Sequence, residues 1–151
     1  MRPSGYPGSV CDVAPRGGDR AAGFRWIILQ RDGRRPLAID GRLVLTAGNG
    51  CAGFPYQSEI AIYETSEGAL AVAICHSGPT QAGPPWRDAW LSGDPLELRA
   101  TLRAHDPQAV VPFFLSGDLS TSMLCGNVFV MIWRGLLGAL LGAPALGRPP
   151  A

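Results

Sequence analysis

Ser58-Glu59-Ile60-Ala61-Ile62-Tyr63-Glu64-Thr65 and Ala69-Leu70-Ala71-Val72-Ala73-Ile74-Cys75-His76, joined by Ser66-Glu67-Gly68, form the stretch that decides the fold. Side chains alternate faces along a strand, so the pairing register fixes which of them share a side. Pairing Thr65 with Ala69 sets Ile62 opposite Val72 and Ile60 opposite Ile74. Ile60, Ile62, Leu70, Val72 and Ile74 then lie together, and Ala61, Ala69, Ala71, Ala73 and Cys75 lie on the reverse with Tyr63 and Glu59. A slip of one residue mixes the two sets. The bulky face is expected to meet the core, and the alanine face is small enough for another element to approach closely.

Upstream, Phe24-Arg25-Trp26-Ile27-Ile28-Leu29-Gln30 is aromatic and β-branched and stops at Asp32-Gly33, a dipeptide suited to a hairpin turn. A second Asp-Gly, at 40–41, divides Leu37-Ala38-Ile39 from Leu43-Val44-Leu45-Thr46 into two short strands. Downstream, Asp94-Pro95-Leu96-Glu97 has the form of a helix start: an Asp cap, Pro at the first helical position and an acid in the first turn. The segment 77–95 reads as a long loop that carries Trp86 and Trp90. The fold class expected is α+β, a small antiparallel β-meander of about five strands followed by one to three helices.

Composition sets the boundaries. Residues 1–23 mix Gly, Pro, Arg, Ala and Ser without period and read as a disordered leader, leaving residues 24–122 as the α+β domain. Residues 123–146 contain one charge, Arg134, and read as a hydrophobic helix, either buried in the core or associated with a membrane, with 147–151 as a tail. With 46% hydrophobic and 17% charged residues the chain is composed to fold. All 13 basic residues are arginine, which points to a G+C-rich coding sequence. Residues 1–50 carry eight Arg against four Asp and residues 51–105 three Arg against six acids, giving +4 and −3. Such values argue against nucleic acid as a partner.

The cysteines at 11, 51, 75 and 125 form no C-x-x-C pair, and the start of the chain lacks the apolar run of a secretion signal, so reduced thiols and a cytoplasmic location are expected. The two histidines and scattered cysteines offer no recurrent ligand spacing, and no phosphate-loop or dinucleotide glycine motif is present; neither metal nor cofactor is expected. Cys75 and His76, as strand neighbours, point to opposite faces and cannot pair. Cys51, in the Gly-rich run 48–53, is the candidate nucleophile, with His76 or His105 as base. Arg31, Arg34 and Arg35 around the first turn, near Arg25 and Arg42, are candidates for binding an acidic partner, and Trp86 with Trp90 for anchoring a protein partner.

From Asp32-Gly33 to Val72, through Leu37, Ile39, Gly41, Leu43, Glu59–Thr65 and Gly68, the chain resembles a group of small uncharacterised bacterial proteins. The resemblance implies a short meander followed by helix and no particular activity. The function expected is a non-enzymatic accessory or protein-interaction module of a bacterial cytoplasm. The alternatives are a membrane-associated protein held by residues 123–146 and a small thiol-dependent enzyme using Cys51.

Overall fold

A computed structural model describes residues 23–49, 54–79, 83–111 and 119–143. The expected leader (but for Gly23), Cys11, Cys51 and the tail lie outside them. Five strands, β1 (Arg25–Leu29), β2 (Leu37–Gly48), β3 (Gln57–Thr65), β4 (Leu70–Ser77) and β5 (Trp86–Ser92), form one antiparallel sheet in sequential order. Helix α1 (Pro95–Ala104), a 3-10 turn (Pro107–Ala109) and helix α2 (Leu119–Leu141) follow. The fold is α+β.

The β3–β4 hairpin has the register that the side-chain pattern dictates: Ile62 opposite Val72, Ile60 opposite Ile74, and Thr65 N–H donating to Ala69 O at 2.8 Å. Gly33 and Gly68, at φ 72° and 86°, occupy the left-handed turn positions where glycine has no steric penalty.

Two expectations need correction. Asp40-Gly41 is not a turn, because β2 runs unbroken through it and pairs Gly41 with Arg25 on one side and Thr65 on the other. Glycine serves there for close approach: a Cβ would lie 3.0 Å from both Glu64 O and the Ile39 side chain. The sheet bends instead at a register shift between Leu43 and Leu45. The second correction concerns the segment holding both tryptophans, which is strand β5 and not loop. His76 pairs with Trp86, Ile74 with Asp88 and Val72 with Trp90.

The two faces of the hairpin build separate cores. On one, Ile60, Ile62, Val72 and Ile74 pack against Leu98 and Leu102 of α1 and against Trp133, Leu137, Leu140 and Leu141 of α2. On the other, the alanines let the sheet curl, and Ile27, Leu29 and Ile39 fill the hollow against Ala61, Tyr63, Ala71, Ala73, Cys75 and Ala89. The curl brings the β1–β2 turn to β5, where Asp32 N–H donates to Arg87 O at 2.8 Å and Arg87 N–H donates to Asp32 Oδ2 at 3.1 Å.

Helix α1 starts as its sequence dictates, with Asp94 Oδ1 accepting from Leu96 N–H at 2.9 Å and Pro95 at the first helical position. Helix α2 buries Cys125, Phe129, Trp133, Leu137, Leu140 and Leu141 along one side and exposes Met123, Leu124 and Met131 on the other. Its length and apolarity over Ser120–Leu141 would suffice to cross a membrane.

Candidate functional site

The sheet face under the helices ends in a chain of three polar side chains. Ser58 and His76 are directly opposite on β3 and β4, and Ser58 Oγ lies 2.7 Å from His76 Nδ1. His76 Nε2 lies 2.8 Å from Nε2 of His105, the residue that ends α1. The two imidazole planes are 7° apart with centroids separated by 5.1 Å. Because the facing nitrogens are closer than the centroids by about one ring's width, the rings meet edge to edge in nearly one plane. Trp86 covers both rings, 18° from parallel with centroids 5.6 Å and 5.2 Å away. Trp133 meets both nearly perpendicularly, each at 5.1 Å, and Phe129 meets His76 at 5.4 Å.

Asn49 holds the outer end of this chain in place. Its Oδ1 accepts from Ser58 N–H at 2.6 Å and its Nδ2 donates to Tyr56 O at 3.1 Å, which ties the end of β2 to the start of β3. Ser58 and His76 are each only 1% exposed. Burial, and then the neighbouring His105, lowers the pKa of His76 to about 3. Burial also lowers that of His105, against the opposing pull of Asp88 and Asp106. Both rings are therefore neutral at neutral pH, and one proton lies between the facing nitrogens.

Two proton arrangements satisfy the chain. In one, Ser58 donates to His76, His76 donates to His105, and His105 carries its proton on Nδ1. In the other, His105 donates to His76, His76 donates to Ser58, and His105 Nδ1 is an acceptor. The half-buried His105 can thus present either a donor or an acceptor, and both histidine nitrogens within the chain stay paired in either arrangement. A hydroxyl as enclosed as that of Ser58 cannot reach a solute, so the chain does not make Ser58 a nucleophile.

His105 opens onto a groove of about 400 Å³ lined also by Arg34, Asp88, Trp90, Thr101 and Ala104. Arg34 reaches across from the β1–β2 turn and forms an ion pair and hydrogen bond with Asp88. Three of the five binding residues expected from sequence thus converge: Trp86 on the histidine pair, Trp90 in the groove wall and Arg34 at its rim. Arg31 and Arg35 stay in the turn, where Arg31 Nε donates to Arg35 O at 2.6 Å. Arg42 is engaged elsewhere, by Glu64 at 2.7 Å and over the Phe24 ring.

The sequence offered His76 and His105 as alternative bases for Cys51, which lies outside the described residues, and did not pair them with each other. Their separation of 29 in sequence hides the pairing. Position on the strand gave a signal, since His76 shares the face of Val72 and Ile74, and His105 follows Leu98 and Leu102 at helical spacing. Cys75 turns to the opposite hollow, away from His76, and is a buried free thiol whose pKa burial raises. No group of three or more potential metal ligands occurs among the described residues. Comparison with known proteins finds no matching family, no similar curated protein and no similar solved structure.

Proposed function

We propose that this chain is a non-enzymatic protein-interaction module of a bacterial cytoplasm, whose contact surface is the groove between β5 and α1. The observation that carries the reading is the convergence of Arg34, Asp88, Trp90 and His105, from three separate segments, on one groove. Tryptophan and arginine beside a charge pair make up the kind of site that anchors a partner side chain. His105, able to donate or accept, fits a partner hydrogen bond of either sense. The enclosure of Ser58 and His76 favours binding over catalysis, and the buried free thiols of Cys75 and Cys125 agree with a reducing compartment. A photo-crosslinking residue at Thr101, in the groove, should give a discrete protein adduct in the source cell that is lost on Asp88→Ala. The same residue at Glu67, on the β3–β4 turn, should give none. Equal labelling from both positions would refute the reading.

A second reading, membrane association through α2, is favoured by the exposure of Met131, at 70%, on a helix whose one charge is Arg134. Retention of the full-length chain in membranes after an alkaline wash supports it. Full release removes it.

A further inference from the structure

A separate groove, of about 460 Å³, lies between α1 and the last turns of α2. Three arginines line it, Arg99 and Arg103, one turn apart on α1, and Arg134 on α2; among the described residues no carboxylate shares the lining. Leu137 and Leu141 supply an apolar wall. Gly138, where a Cβ would meet nothing within 4 Å, leaves the space beside Arg134 open.

Helix ends account for part of this charge: Arg99 caps α2, and Arg103 lies in the last turn of α1, where a cation is favoured. Arg99 is 4% exposed and donates through Nη1 to Leu141 O at 2.6 Å, satisfying a carbonyl at the α2 C-terminus. Arg103 and Arg134 are exposed, and neither has a hydrogen bond or ion pair among the described residues. Three like charges gathered on one groove repel one another, and an anion with several oxygens relieves that repulsion while accepting from planar guanidinium donors. A phosphate monoester matches better than a carboxylate, because it brings up to two negative charges and three terminal oxygens.

We propose that this groove is a phosphate-binding site in which Arg103 and Arg134, beside Arg99, hold a phosphate monoester whose organic part rests on Leu137 and Leu141. The same chemistry serves a small soluble phosphate ester or the headgroup of a phosphatidic-acid-type lipid.

The test uses the full chain. Titration calorimetry with glycerol 3-phosphate, and flotation with neutral vesicles that contain or lack phosphatidic acid, are compared for the wild type, Arg103→Gln, Arg134→Gln and Arg35→Gln. The last removes an equal charge from the β1–β2 turn. Loss of one charge-assisted contact is expected to weaken binding about tenfold or more for Arg103→Gln and Arg134→Gln and to leave Arg35→Gln unchanged. Gly138→Glu, which puts a carboxylate into the groove at a position favourable to helix, is expected to abolish binding without loss of thermal stability. Calorimetric binding with this pattern assigns a soluble ester, and flotation alone with this pattern assigns a lipid headgroup. No binding in either assay, or binding weakened equally by Arg35→Gln, overturns the proposal.

Discussion

Acid should destabilise this protein through one buried ring, and the size of the effect follows from its surroundings. His76 ordinarily titrates near 6.5, and burial together with His105 brings it to about 3 in the folded chain. Between those values the unfolded chain binds a proton that the folded chain does not. Stability is therefore complete above about pH 6.5 and is lost as pH falls toward about 3. Each pH unit inside that window costs about 1.4 kcal/mol, so lowering the pH from 7.5 to 5.0 removes roughly 2 kcal/mol. That is a substantial share of the ~5–15 kcal/mol that holds an ordinary domain together. His105, also lowered, acts in the same direction. Glu59, raised by burial, acts in the opposite direction near its own titration, so the wild type is best compared with a variant that retains it. Urea unfolding at the two pH values should show the roughly 2 kcal/mol loss in the wild type and much less in His76→Gln/His105→Gln. Equal losses in the two proteins would refute the reasoning, as would imidazole nitrogen resonances showing His76 charged in the folded protein at pH 5.0.

Trp133→Ala, which empties the perpendicular contact to both histidines and a fully packed part of the helix-side core, should cost about 3–5 kcal/mol in denaturant unfolding. Ala73→Leu forces extra carbon into the hollow between β4 and Ile27, Leu29 and Ile39; a loss of about 1–3 kcal/mol is expected, and an unchanged midpoint would mean that the hollow is not filled as described. Asp94→Ala removes the acceptor for Leu96 N–H and should lower stability by about 1 kcal/mol, with helical circular dichroism falling before the sheet signal on heating.

The parts of the fold that were legible in the sequence are those set by local chemistry. The β3–β4 register followed from the isoleucine and alanine faces, the Asp32-Gly33 and Ser66-Glu67-Gly68 turns from glycine, and the start of α1 from Asp94-Pro95. Asp40-Gly41 misled because glycine at a strand crossing, where Glu64 O crowds the Cα, looks in sequence like glycine at a turn. β5 was hidden by Pro84-Pro85 before it and by Arg87 and Asp88 within it; Arg34 pairs with the Asp88 carboxylate and Asp32 bonds the Arg87 backbone, both from a turn more than fifty residues earlier. The same long-range closure made the groove invisible. Trp86, Trp90 and Arg34 each stood out singly, but no local pattern could say that the curl of the sheet would put them beside His105.

That closure also bears on how the chain survives at high concentration. An open meander ends in two strands, each with a row of backbone groups on which another molecule can add a strand. Here the N–H and carbonyl of Arg87, in the second residue of the terminal strand, are already taken by Asp32 of the first turn, and the side-chain pair of Arg34 and Asp88 stands next to them. A neighbouring copy seeking to extend the sheet at this corner meets occupied donors and acceptors and a projecting charge. The contact that shapes the groove is thus also a guard against end-on polymerisation, and loosening it with Asp32→Ala should expose the chain to strand-mediated aggregation.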